Sequence, residues 1–423
     1  MKRFVIFAAL CALLPASAHA YPLDGYDYTD IARLLAYDRA REGLLARGTL
    51  VPGDLKTMGQ VKLTLADQPG FEVPASDAGL SGEIREFLGS SASAYGVAVL
   101  DLTDPVHPRY AALSAMRAQQ PASLGKMAVA LAFFDALAEV YPTDIEARHR
   151  ILRETQITAN EYIIKDETHK VPMFNPGDQR LQFRLIEIGD VANIYTYMDW
   201  MISRSANAAA AMIQYHLILL KHFGREYPVS EERAAAYFKN SSGAELQRVY
   251  ANAIRTGLKG NGLNPELFRQ GSFFSKTGRS RIPSIGSTAT AHELMRYLVL
   301  MEQGKLVDPW SSLELKRLLY LTDRRIRYAA APILNDSAVY YKSGSMYKCK
   351  PEAGFACDKF LGNRENIMNS VAIIETDRPG LPPLRYLVVV LSNVLKKDSA
   401  EVHAAFATDI QRVIESSHGG AQP

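Results

Sequence analysis

The chain has 423 residues, 48% of them hydrophobic and 22% charged, an ordinary balance for a folded globular protein. That length supports two cores or one large two-lobed domain. Forty-eight Lys and Arg stand against forty-five Asp and Glu with no basic stripe of the kind that tracks phosphates, so no nucleic-acid partner is expected.

Residues 1–20 read as a targeting segment rather than part of the fold. Lys2 and Arg3 supply its charged start, and the apolar run from Phe4 to Leu14 is too short to span a bilayer. Ala18-His19-Ala20 is a cleavage site, which predicts a mature chain beginning at Tyr21 in the periplasm or outside the cell. Loss of Lys2 and Arg3 brings the net charge from +3 to near +1. Cys11 follows Leu10, where a lipoprotein signal needs a small residue, so no lipid anchor is expected. No later stretch reads as a membrane span. Cys349 and Cys357 then remain, flanking a short segment that contains Pro351 and Gly354. In an oxidising compartment they are expected to form a disulfide across a surface loop, worth roughly 2–3 kcal/mol by loop entropy. Their spacing matches no common metal knuckle. His292-Glu293 lacks the second histidine of a zinc helix, so neither metal nor cofactor is expected.

Residues 21–80 read as an N-terminal extension, with helical spacing over Tyr28 to Leu45 and then a loop-rich stretch marked by Pro52-Gly53, Pro69-Gly70 and Pro74. Glu83 to Leu88 reads as a short helix. Tyr95 to Leu102 and Arg109 to Ser114 read as strands. Gln119 to Ala122 leads into Ser123, followed by a long apolar helix from Met127 to Tyr141. From there to about residue 320 the pattern is mostly helical, with Asp190 to Met201, Ala208 to Leu220, Glu231 to Phe238, Glu245 to Ile254, Ala291 to Glu302 and Ser311 to Tyr320. The period then changes. Ala338 to Lys342, Ser370 to Glu375 and Arg385 to Ser392 read as strands, and Ala400 to Ser416 as a closing amphipathic helix. This order predicts an α+β fold: an antiparallel sheet built from both chain ends (residues 81–128 and 325–423), flanked by helices, with an all-helical lobe inserted at residues 129–324.

Three short motifs carry chemistry. Ser123-Leu124-Gly125-Lys126 places an amine one helical turn from a hydroxyl, at a helix start that can polarise that hydroxyl. Ser345-Met346-Tyr347-Lys348 has the same spacing but follows a strand. Ser205-Ala206-Asn207 falls between two helical stretches, where its polar groups are costly unless paired. Lys342-Ser343-Gly344 ends a strand. Its rival, Lys276-Thr277-Gly278, is followed by Arg279, Arg281 and Pro283 and reads as a loop. Each motif alone has a plainer explanation, as a helix cap, a turn or an edge-strand lysine. Together they supply a nucleophile, a nearby amine, a second hydroxyl beside an amide, and a cationic strand edge. That set suits acyl transfer by a serine with lysine as the base.

The motifs, in this order, resemble those of the penicillin-recognising serine hydrolases, and within them the class A β-lactamases. The resemblance covers roughly residues 81–418 and implies a β-lactamase/transpeptidase-like fold with no cofactor. It implies a small-molecule β-lactam or a D-Ala-D-Ala-type peptide as substrate, and a monomer is expected. Ser123 would attack the carbonyl, and Lys126, its pKa lowered by burial and by Lys342, would accept the proton. Ser205 would return a proton to the leaving nitrogen, and Asn207 would hold the substrate amide. Lys342 and Ser343 would bind the substrate carboxylate, with Gly344 and Ser345 completing that edge. Backbone N–H groups of Ser123 and Ser345 would form the oxyanion hole. Arg279, Arg281 and the Arg324-Arg325-Arg327 group read as solvated surface near that carboxylate. Two departures stand out: Ala206 replaces the family's usual aspartate, and no loop matches its deacylating glutamate. Glu266, in Leu263-Asn264-Pro265-Glu266-Leu267, is the candidate for that role. Three functions follow from these readings: a β-lactamase-like hydrolase, a D-Ala-D-Ala carboxypeptidase or related cell-wall hydrolase, or a non-catalytic peptidoglycan- or partner-binding module.

Overall fold

The structure, a computed structural model, describes residues 24–43, 53, 56–164, 169–322 and 325–419. The targeting segment, Leu44, Leu45 and Arg324 lie outside the described residues. No helix among the described residues is long and apolar enough to cross a membrane. The centre is a five-stranded antiparallel sheet of β1 (Tyr95–Asp101), β2 (Arg109–Leu113), β3 (Ser337–Lys348), β4 (Glu365–Thr376) and β5 (Leu384–Asn393). Its order is β2-β1-β5-β4-β3. The two chain ends meet where β1 pairs with β5, from Tyr95 opposite Ser392 to Asp101 opposite Tyr386.

Strand periodicity sorts the side chains into two cores. Ala98, Leu100, Leu387, Val389 and Leu391 face one core with the inserted helices. Val97, Val99, Val388 and Val390 face the other, which α4 (Ser399–Ser417) covers with Phe406, Ile410 and Ile414. Helices cover both faces, so these strands read as continuous apolar runs rather than alternating ones. At the middle of the first core runs α1 (Gly125–Val140), buried on nearly every side. Beside it lie α2 (Ile194–Ile202) and α3 (Asn207–Phe223).

Several elements differ from the sequence expectation. β3 and β4 run well past their apolar cores, because Ser343, Gly344 and Ser345 find strand partners in Ser370, Asn369 and Met368. The segment expected to be mostly helical also holds a hairpin, Val171–Asn175 against Arg180–Arg184. Its turn is nucleated by Asn175 Oδ1, which accepts the Gly177 N–H at 2.8 Å. Val191–Asn193 is a short strand, and helix α2 starts only after Asn193 caps it through the Thr196 N–H. In the N-terminal segment one expected helix is two, Gly25–Thr29 and Ala32–Arg41, broken at Asp30 with φ 55°.

A buried ion pair binds that segment to the inserted lobe, and a second buried ionic group ties it to the sheet. Arg33 sits with Ile31 and Leu34 against the core, and its guanidinium donates twice to Asp199 of α2, each bond 2.6 Å. A third bond reaches the Leu321 carbonyl at 2.7 Å. Further along, Lys316 is completely buried, with its ammonium 2.7 Å from Glu375 and 3.0 Å from a Glu302 oxygen. Lys56 and the Tyr340 hydroxyl complete the shell of Glu375 at 2.6 and 2.9 Å. Burial alone would raise the Glu375 carboxyl, but Lys316 and Lys56 hold it down to about 2.

Asp199→Ala strands the buried Arg33 charge and should cost about 3–5 kcal/mol in urea unfolding; a loss under about 1 kcal/mol would show that the pair is dispensable. Glu375 sets a pH window. Its folded pKa lies below the ordinary 4.5, so its stabilisation is present above 4.5 and is lost as pH falls towards about 2. Glu375→Gln should flatten that part of the stability–pH curve, and an unchanged slope would contradict the assignment.

Candidate active site

Ser123 lies in the tight turn Ala122–Leu124 that feeds directly into α1. Ala122 just before it has φ 48°, a left-handed conformation that a non-glycine residue holds only when its surroundings enforce it. Those surroundings are visible. The wholly buried Asn369 of β4 donates to the Gln120 and Pro121 carbonyls at 3.0 and 3.1 Å. Gln119 in turn donates to Asn369 Oδ1 at 2.6 Å. Strand β3 presses on the same turn through Gly344, where a Cβ would lie 2.6 Å from the Pro121 oxygen and 2.9 Å from the Ser123 nitrogen. Only a residue without a side chain allows that approach.

Lys126 follows one turn later and is completely buried. Its ammonium lies 2.9 Å from Ser123 Oγ, 2.6 Å from the Ser205 carbonyl oxygen and 2.7 Å from Asn207 Oδ1. The Phe274 ring covers it, with its centroid 4.5 Å away. Ser205 sits between α2 and α3 at φ 59°, which turns its hydroxyl towards both lysines. Lys126 Nζ is 3.4 Å from that hydroxyl and Lys342 Nζ is 2.9 Å from it. Asn207 opens α3, and Ala206 before it is fully buried, so the departure from aspartate falls inside the core. Lys342 is 2% exposed. Burial, then the Lys126 charge, then the Arg327 charge all push its ammonium well below the usual lysine range.

These groups open onto one cleft of about 1260 Å³, lined by Ser123, Ser205, Asn207, Lys342, Ser343, Gly344 and Ser345. Arg327 lines it too and donates to Ser345 Oγ at 2.8 Å. The cleft thus holds a hydroxyl beside an amine, a second hydroxyl between two amines, and cations along a strand edge. Such a site can polarise and acylate on a serine while holding an anionic group. No Asp or Glu is among its described lining residues.

Other residues singled out from sequence lie elsewhere. Glu266 is 80% exposed, pairs with Arg269 at 3.0 Å and does not line the cleft. Lys276 is exposed at the start of a short helix, Lys276–Arg281, and not on a strand. Lys348, of the second Ser-x-x-Lys, is 70% exposed and paired with Glu365. Arg279 donates to the Phe273 and Phe274 carbonyls, and Arg281 to those of Phe238 and Ser241. Arg325 lines the cleft while donating to the Leu334 and Ser337 carbonyls. Sequence reasoning placed Arg327 on a solvated surface near the carboxylate site, and it missed Asn369, Gln119 and Phe274. Arg327 opens a single 3-10 turn, Arg327–Ala330, at φ 56°, too short for any periodicity to mark its direction. Only a buried-strand position for a polar Asn369 could have drawn attention to that residue.

Gly344→Ala should cost about 1–3 kcal/mol of stability in urea unfolding, because the new methyl meets backbone atoms rather than a movable side chain. An unchanged midpoint would show that β3 does not approach the Ser123 turn as described.

No sequence-family description matches the chain, and no curated protein matches it in sequence. Solved structures do match in shape. PBP-A superposes with a TM-score of 0.52 at 13% identity, over 82% of this chain and 100% of its own. A β-lactamase from Chitinophaga pinensis gives 0.51 at 13% identity, over 80% and 98%. The TLA-3 extended-spectrum β-lactamase gives 0.50 at 12% identity, over 78% and 97%. The shared element order and the sheet built from both chain ends lead to one conclusion: this chain has the fold of the penicillin-recognising serine hydrolases of the β-lactamase type.

Proposed function

We propose that the chain is an exported active-site serine hydrolase that is acylated on Ser123 and hydrolyses β-lactam amides. The observation that carries the reading is the Lys126 nitrogen 2.9 Å from Ser123 Oγ, in a cleft where Lys342 stands 2.9 Å from Ser205 Oγ. Export rests on the character of residues 1–20 and accords with the Cys349–Cys357 disulfide.

The chemistry follows from the contacts. Lys126 Nζ stands within hydrogen-bond reach of Ser123 Oγ, at 2.9 Å. In its neutral form the amine takes the Ser123 proton on its lone pair as Oγ attacks the carbonyl. The C–N bond then breaks, and the leaving nitrogen receives the Ser205 proton, which the adjacent lysines replace. Backbone N–H groups of Ser123 and Ser345 receive the oxyanion. Lys342, Ser343 and Arg327 hold the substrate carboxylate. Water then releases the acyl group from Ser123.

A second reading, a D-Ala-D-Ala carboxypeptidase with a longer-lived acyl-enzyme, is favoured by one observation. No carboxylate stands among the described cleft residues to activate that water, and Glu266 does not line the cleft. PBP-A, a shape neighbour, is known as an acyl-enzyme complex with penicillin-G in one variant.

Mass spectrometry after mixing with benzylpenicillin tests both. The wild type should gain one penicillin mass and Ser123→Ala none. Lys126→Ala should slow acylation by about 10²–10⁴-fold. Rapid loss of the adduct supports the β-lactamase reading, and a persistent adduct the peptidase one. No mass gain by the wild type overturns both and leaves a binding module.

A further inference from the structure

The start of α1, which carries Lys126, is met by a short loop of residues 270–275. A Cβ at Gly125 would lie 1.9 Å from Gln270 Oε1, so the loop presses on the residue just before Lys126. Phe273 of this loop is buried in the core, with its ring 5.2 Å from that of Tyr250. Phe274, next to it, lies over the Lys126 ammonium. The wholly buried Gln214 of α3 fixes that placement. Its Oε1 accepts the Phe274 N–H at 3.0 Å, and its Nε2 donates to the Tyr250 hydroxyl at 2.7 Å and to the Ser272 carbonyl at 3.1 Å. The Tyr250 hydroxyl donates in turn to the Gln270 carbonyl at 2.9 Å. The Arg279 guanidinium reaches the Phe274 carbonyl at 3.0 Å, so both backbone polar groups of Phe274 are held.

The Phe274 centroid stands 4.5 Å from Lys126 Nζ, inside the about 6 Å over which an aromatic face attracts a cation. That attraction is stronger where water is excluded, and Lys126 is completely buried. The ring distinguishes two protonation states: its face attracts the ammonium and offers nothing comparable to the neutral amine. Ser123, Ser205 and Asn207 meet the same nitrogen with neutral oxygens. Lys342 of β3 faces it across Ser205 Oγ with a like charge, which favours the amine. Ring and Lys342 therefore act in opposite senses on the group that exchanges a proton with Ser123. Phe274 does not line the cleft, so it acts on the reaction through Lys126.

We propose that Phe274 is a positioning residue that sets the proton affinity of Lys126 through the face of its ring, with Gln214 holding the ring in place. As the bond from Ser123 Oγ to the carbonyl carbon forms, the Oγ proton passes to Lys126 Nζ and the carbonyl electron pair moves onto its oxygen. The ammonium that forms lies against the Phe274 ring, which stabilises it as its charge develops. This inference rests on the acyl-transfer reading of Ser123.

The acylation rate constant of the full chain for benzylpenicillin, followed against pH, tests this. Phenylalanines carrying one, two or three ring fluorines replace Phe274, which weakens the negative face of the ring and leaves its shape nearly unchanged. The wild-type rate should rise with pH as Lys126 gives up its proton, and then level off. Added fluorines should move that rise to lower pH, by about one pH unit over the whole series, because the weaker ring favours the ammonium less. The level reached should fall by about threefold, since only part of the charge has formed in the transition state. Phe274→Leu, which keeps bulk without a π face, should move the rise the same way. A merely structural role for Phe274 would leave the rise in place. A rise at the same pH throughout the series, or one that moves to higher pH, overturns the proposal. Acylation of the wild type with an unmoved rise in the variants sinks this inference alone. No acylation of the wild type at any pH sinks the acyl-transfer reading and this one with it.

Discussion

Two buried ammonium groups face one hydroxyl, and the rest of the molecule is arranged to hold them there. Lys126 and Lys342 both lie within hydrogen-bond reach of Ser205 Oγ, with almost no water around either. Like charges at this range repel strongly in a low-dielectric interior, and each lysine also loses solvation. The combined cost calls for compensation within the site. It is met by carbonyl and amide oxygens, by the Phe274 ring beneath Lys126 and by a depressed lysine pKa at position 342. The same cost suits a site meant to receive an anion, because a bound carboxylate would remove much of it.

Convergence of this kind requires that three separate pieces of chain be held rigidly. The β3 edge is set by its register with β4, which places Gly344 opposite Asn369. Asn369 then reaches back to grip the turn before Ser123. One buried amide thus links nucleophile and cationic strand. The third piece, the Ser205 turn, hangs from the end of α2. There the Asp199 carbonyl takes both the Ser203 N–H at 2.7 Å and its hydroxyl at 2.8 Å. The Asp199 carboxylate is held in turn by Arg33. Through these bonds the N-terminal segment braces the loop that presents Ser205.

Most of the architecture was legible because burial on two sheet faces writes itself into sequence. The apolar runs Tyr95 to Leu102 and Arg385 to Ser392 mark β1 and β5, and the change of period near residue 338 marks the return to the sheet. Lys126 was legible because an amine three residues from a hydroxyl at a helix start has one direction to point. Other features were hidden for definite reasons. The polar halves of β3 and β4 carry no apolar alternation, since Ser343 and Asn369 serve the site rather than a core. Arg327 looked like surface because its direction depends on a left-handed backbone at that residue. Arg33 drew no notice inside the N-terminal helical stretch, whose spacing is carried by its apolar residues. What sequence conveys poorly is which long-range partner a polar group finds.

The central claim is that Lys342 is a buried amine forced against a second one. NMR titration of the lysine side-chain signals, with Lys342 assigned through its Lys342→Met variant, tests it most directly. The account predicts that Lys342 loses its proton well below the other lysines and moves back towards them when Lys126 is replaced by methionine. A Lys342 signal that titrates with the surface lysines, near their ordinary value of about 10.4, would contradict it.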